Sequence, residues 1–111
     1  MCAEQRKSQI DVYETNRFTK SLERFDQDSL MLIEDEIEKI IENPAVGEQK
    51  KGDLSYLRVH KFSVNSQQML LGYSWVESKI ELYLLSLGSH ENFYDVLKRS
   101  RKADLKLIKS S

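Results

Sequence analysis

The chain has 111 residues, 40% of them apolar, and a single cysteine, which fits one globular domain with a core that needs no disulfide. Its 17 basic and 18 acidic residues leave a net charge of -1, so the total says little and the distribution along the chain matters more. No apolar run is long enough to cross a bilayer and the first residues lack a hydrophobic signal region, so the expected compartment is the cytoplasm and no membrane partner is expected.

Residues 1–9 read as a flexible leader. Cys2, within it, has no histidine nearby to activate it as a nucleophile, and two histidines with one distant cysteine do not make a zinc site. No metal and no cofactor are expected. Ile10-Asp11-Val12-Tyr13-Glu14-Thr15 alternates apolar and polar residues, the signature of a strand with one buried face. Thr15 or Asn16 can cap a helix over 17–25, in which Phe18, Leu22 and Phe25 fall on one stripe. The turn Asp26-Gln27-Asp28-Ser29 precedes a second helix over 29–42. Leu30, Ile33, Ile37, Ile40 and Ile41 form its inner face; Glu34, Asp35, Glu38 and Glu42 face water. Asn43-Pro44 ends it, because the residue before proline is pushed out of the α region. The short joint between the two helices predicts an αα-hairpin packed on one side of a sheet.

A polar loop over 45–53 carries Gly47, Lys50, Lys51 and Gly52. Three strand signals follow, over 54–62, 69–76 and 79–87, with hairpin-length joints that predict an antiparallel meander. In the first of these, Leu57 and Val59 share one face, and Tyr56, Arg58, His60 and Phe62 the other. The helix hairpin is expected on the apolar face, which leaves the Arg58/His60 face free for chemistry. Trp75 and Tyr73 read as core or as part of a partner's groove.

Leu82-Tyr83-Leu84-Leu85-Ser86-Leu87-Gly88-Ser89-His90-Glu91-Asn92-Phe93-Tyr94 begins as an apolar strand, breaks at Gly88 and restarts as a helix. Gly88 is expected to supply a positive φ or a close backbone approach, and Ser89 the N-cap. His90 then projects from a strand-to-helix corner into a cleft. Phe93, Tyr94 and Leu97 at helical spacing favour core packing over a base-stacking platform. The helix runs from about 91 past 98, and Lys98, Arg99, Arg101, Lys102, Lys106 and Lys109 make the C-terminus basic. Such a tail over 100–111 suits phosphate contacts or complements a helix dipole. The order is β-α-α-β-β-β-α over 10–99, an α+β fold with a small antiparallel-rich sheet.

Four segments together resemble the RelE/ParE superfamily, the toxins of type II toxin–antitoxin pairs. They are the Glu42-Asn43-Pro44 helix stop, Gly52-Asp53-Leu54-Ser55-Tyr56-Leu57-Arg58-Val59, Leu71-Gly72-Tyr73, and Leu87-Gly88-Ser89-His90-Glu91-Asn92-Phe93-Tyr94. The resemblance implies a cognate antitoxin that wraps the toxin, with operator DNA reached only through that antitoxin. It also implies one of two targets. RelE-like members cut messenger RNA on the ribosome without a metal, whereas ParE-like members inhibit DNA gyrase. An inactive toxin-fold corepressor is a third reading. His90 matches the corner where RelE-like enzymes place an arginine or histidine, His60 a strand histidine of one branch, and Tyr94 the nearby aromatic. The chain departs from the nuclease pattern at Gln68-Met69-Leu70, where many relatives carry a strand arginine.

Metal-independent RNA cleavage needs a base for the ribose 2′-OH, an acid for the leaving 5′-oxygen and a cation for the developing phosphorane charge. Histidine can fill either proton role. The expected catalytic set is therefore His60 and His90 as base and acid, Arg58 or Lys61 as the cation, and Tyr94 against a base. Lys50, Lys51, Lys61, Lys98, Arg99 and Arg101 are the expected nucleic-acid contacts. His60 also fits a strand histidine that merely covers the sheet, and His90 a residue near a helix cap.

Overall fold

The computed structural model describes residues 10–110; the expected leader and Cys2 lie outside them. Strand β1 (Asp11–Glu14) leads at once into helix α1 (Asn16–Leu22). Thr15 makes that joint: its side-chain oxygen accepts from the Phe18 amide at 3.0 Å and donates to the Leu85 carbonyl at 2.7 Å. One hydroxyl thus caps the helix and ties its start to the sheet. Helix α2 (Gln27–Glu42) begins at Asp26, which accepts from the Ser29 amide at 2.8 Å. Strand β2 (Glu48–Gln49) and a turn of 3-10 helix at Gly52–Leu54 follow. Next come β3 (Arg58–Val64), β4 (Gln67–Val76), a second 3-10 turn and β5 (Glu81–Gly88). Asn65 and Ser66, at φ 52° and 67°, close β3 onto β4, the two-residue hairpin geometry that matches strand twist. Helices α3 (Phe93–Arg99) and α4 (Arg101–Ser110) end the described chain.

The five strands lie in the order β1-β5-β4-β3-β2, all antiparallel except β1 beside β5. Both faces of the sheet are covered. On one, Phe18, Ile33 and Ile40 of the helix hairpin pack on Met69, Leu71, Tyr73, Leu82, Leu84 and Leu87. On the other, Phe93 and Leu97 of α3 pack on Leu57, Val59, Leu70, Tyr83 and Leu85. Burial on both sides explains why β5 reads as an unbroken apolar run. Its alternation is reset once: Tyr73 pairs with Leu84 and Gly72 with Ser86, so Leu85 is skipped. That bulge lets Leu84 and Leu87 share a face.

The αα-hairpin on one face and the β3-β4-β5 meander agree with the sequence reading. Ile33, Val59, Leu82 and Leu84 are buried as expected, and Leu22 and Ile37 are half-buried. Four expectations need correction. Strand β1 has no buried face: Asp11, Val12, Tyr13 and Glu14 are all exposed. The hairpin covers the face that carries His60 and Phe62, while Leu57 and Val59 lie under α3. Residues 101–110, expected as a basic tail, form a helix. At the corner the positive φ belongs to Asn92 (64°), which is also the N-cap position of α3, and Gly88 approaches nothing within 4 Å. Close approach falls instead at Gly47, where an added Cβ would meet Tyr73 Oη at 2.8 Å, and at Gly72, where it would meet Leu57 Cδ1 and Phe93 Cζ at 3.1 Å. The missing side chain of Gly72 lets α3 settle onto the sheet.

Candidate functional site

The short strand β2 sets the site. Glu48 pairs with Val59 and so points to the α3 face; Lys50, two residues on, follows it, its amide donating to the Leu57 carbonyl at 2.9 Å. Lys50 Nζ lies 3.0 Å from Glu48 Oε1 and 5.3 Å from the centroid of the Tyr94 ring, over which it projects. The bond to Glu48 raises the Lys50 pKa, against a smaller opposing effect of burial and with help from the Tyr94 hydroxyl. Lys50 is therefore held as a cation. The same hydrogen bond and charge, with a further contribution from the Lys61 charge, hold the Glu48 carboxyl below its ordinary range.

Lys61 follows Val59 by two residues and shares its face. It pairs with Leu70, which in turn pairs with Gly88, so Lys61 lies about 10 Å across two strand spacings from the end of β5. His90 is exposed two residues beyond that end. Its ring meets Tyr94 edge-on at 6.0 Å, and Tyr94 meets Phe93 edge-on at 5.2 Å. Phe93 is buried against the sheet and so anchors the aromatic pair. One surface thus gathers Glu48, Lys50, Lys61, His90 and Tyr94.

His60 and Arg58 are not part of it. His60 points beneath α2, its Nε2 2.7 Å from Glu36 Oε1 and its ring stacked on Phe62 at 5.7 Å. The pairing of His60 with His90 on one surface is thereby corrected: alternation along β3 sends His60 and Lys61 to opposite faces, and α2 docks on the histidine's side. Arg58 donates to the carbonyls of Gly47 at 2.8 Å and Ala45 at 3.3 Å. Tyr73, fully buried, accepts from the Gly47 amide at 2.9 Å and donates to the Pro44 carbonyl at 2.6 Å. Together they pin the segment that delivers Glu48 and Lys50.

The remaining predicted contacts are scattered. Lys51 is exposed beside the 3-10 turn, Lys98 and Arg99 are exposed on α3, and Arg101 donates to the Asp53 carbonyl at 2.7 Å. Sequence reasoning missed Glu48, because a two-residue strand inside a polar loop leaves little pattern; the alternation Glu48-Gln49-Lys50 was its one signal. It also missed the pair of half-buried Arg17 and buried Asp104, 3.0 Å apart, in which Arg17 also donates to Ser86 at 2.7 Å. Among the described residues, no group of three His, Cys, Asp or Glu is arranged to hold a metal ion, and no helix is long and apolar enough to cross a membrane.

A five-stranded sheet with a helix hairpin on one face and a short aromatic-bearing helix on the other defines a RelE/ParE-type toxin fold. The model of the ParE-like toxins of type II bacterial toxin–antitoxin systems matches residues 12–98, and the chain belongs to that family. Among curated proteins none matches it in sequence. Solved structures do match in fold. The toxin of the intact E. coli RelBE toxin–antitoxin complex aligns with TM-score 0.60 and 16% identity over 74% of this chain and 98% of that one. The isolated E. coli RelE toxin aligns with 0.58 and 16% over 81% and 97%. An E. coli RelE mutant in complex with an antitoxin RelBc peptide aligns with 0.58 and 15% over 82% and 93%. At such identities the likeness is one of fold.

Proposed function

We propose that this toxin is a metal-independent endoribonuclease acting on messenger RNA at the ribosome, held silent by a cognate antitoxin. One observation carries the reading: a carboxylate, two ammonium groups, an imidazole and a phenol converge on the α3 face. Glu48, kept ionised by its lysine neighbours, takes the proton of the ribose 2′-OH. The 2′-oxygen attacks phosphorus and the bond to the 5′-oxygen breaks, leaving a 2′,3′-cyclic phosphate. His90 gives its proton to the departing 5′-oxygen. Lys50 and Lys61 stabilise the extra negative charge of the phosphorane, so Lys61 supplies from β3 the cation that Gln68 of β4 does not. Tyr94 offers its ring to a base. The solved complexes of RelE with RelB and with an antitoxin peptide support an antitoxin as the partner of a chain with this fold.

The match to a ParE-like family model favours a second reading, inhibition of DNA gyrase without cleavage. Induction in cells separates the two. Primer extension on messenger RNA gives discrete new 5′-ends if the ribonuclease reading is right. Accumulating DNA breaks with intact messages would replace it with the gyrase reading.

A further inference from the structure

Helix α1 presents Arg17, Lys20 and Arg24 at spacings of three and four residues, one face of the helix and its exit. Arg17 is committed to Asp104 and Ser86. Among the described residues neither the Lys20 nor the Arg24 side chain makes an ion pair or hydrogen bond, and both are exposed. Two clefts meet along this face. One, of about 420 Å³, is lined by Asn16, Arg17, Lys20, Ser21 and Arg24. The other, of about 240 Å³, shares Ser21 and Arg24 with it and adds Phe25, Gln67, Gly88 and Ser89 over an apolar floor. No carboxylate lines either cleft; Glu23 lies beside them in sequence but contributes to neither.

The second cleft therefore ends on the two residues that precede His90. A groove with free cations along its wall, the half-buried ring of Phe25 and amide and hydroxyl groups near its end fits a nucleic-acid strand whose bases are unpaired: cations for the phosphates, an aromatic face for a base. A duplex keeps its bases stacked inside and would leave Phe25 unused. The geometry points to the α1 groove, with Lys20 and Arg24 as phosphate contacts, as the track for single-stranded RNA flanking the bond presented to His90. Lys20 also lies in the last turn of α1, where it complements the helix dipole. Arg24 lies beyond the helix, so that role does not account for it. The inference takes its occupant from the ribonuclease reading but assigns residues outside the reacting cluster.

The test uses the full chain and a fluorescent single-stranded oligoribonucleotide carrying 2′-O-methyl groups, which binds but lacks the attacking hydroxyl. Anisotropy is followed through a salt titration. The double variant Lys20→Glu/Arg24→Glu should bind at least about tenfold more weakly, and its salt slope should be shallower by roughly 1.4, about 0.7 for each lost phosphate contact. His90→Ala should bind with the wild-type slope. The neutral pair Lys20→Gln/Arg24→Gln gives the same reading in the same direction if charge reversal harms folding. Unchanged affinity and slope in the neutral pair overturn the groove, as does a wild-type protein that does not bind the probe or a double variant that loses only duplex DNA. If the groove behaves as expected while an unmodified message stays uncut on ribosomes, the reaction fails and the groove stands.

Discussion

At the scale of single residues, the two histidines divide the chemistry from the scaffold. His90 is exposed and its ring meets that of Tyr94, so His90→Ala should fold normally and cut RNA about a hundredfold to ten-thousandfold more slowly, the usual weight of a positioned proton donor. Glu48→Gln, which keeps the side chain's size and its bond with Lys50, should lose as much for want of a base. The double variant should lose less than the product of the two if acid and base act as a unit. Single-turnover cleavage of a ribosome-bound message reads all three, and full activity in either single variant sinks that residue's role. His60→Ala should keep its cleavage but lower stability by roughly 1–3 kcal/mol, because Glu36 is left half-buried without its closest partner. Alternation along β3 was legible in the sequence, and so was the corner that carries His90. What the sequence could not give was the side on which α2 docks, since Leu57/Val59 and His60/Phe62 both offer enough apolar surface to cover.

Elements translate those positions into a site. The approach of α3 depends on Gly72, so Gly72→Val should displace Phe93, and with it Tyr94, at a cost of about 1–3 kcal/mol from overpacking. Cleavage should fall by more than the loss of folded protein accounts for; equal losses would show that α3 does not place Tyr94. Helix α4 is tied down differently, since Asp104 is buried on it and Arg17 is its partner. Burial raises the Asp104 pKa more than Arg17 lowers it, so a neutral side chain of the same shape is tolerated there. Asp104→Asn should therefore change stability at neutral pH little, whereas Arg17→Ala should cost roughly 3 kcal/mol by leaving a buried carboxylate unpaired. Chemical denaturation of the two variants side by side decides it, and a larger loss for Asp104→Asn would reverse the assignment. The long elements were legible because their periodicities run for several turns or pleats. Strand β2 has two residues, too few to show a period, and α4 docks through the buried carboxylate of Asp104 beside the partly buried Leu107 and Ile108, an apolar stripe too short to stand out among its lysines.

For the molecule as a whole, the balance of charges near zero conceals opposed responses to acid. Burial alone would raise the Glu36 pKa, but the hydrogen bonds and charges of His60 and Lys39 outweigh it and the net shift is downward. Asp26, which accepts from the Ser29 amide, and Glu48 are lowered as well. A carboxyl whose folded pKa is depressed gives stability that is complete above its unfolded pKa and is lost as pH falls through the folded one. Asp104 is raised, mainly by burial, and has the opposite sign: it takes up a proton more readily in the folded state, so acidification favours the fold there. Solvent screens the exposed Asp26 and Glu48, which among the described residues leaves Glu36 as the main source of acid sensitivity, below about pH 4.3 where an unfolded glutamate titrates. Thermal midpoints measured from about pH 7 to about pH 3 should fall along that limb. Glu36→Gln should start lower at neutral pH yet fall less steeply, because the group that must be protonated is gone. Asp104→Asn should fall more steeply than wild type, because its compensating proton uptake is removed. Parallel acid limbs in all three proteins would show that the pH response comes from general charge repulsion, and the clamp between α2 and β3 would then carry no share of it.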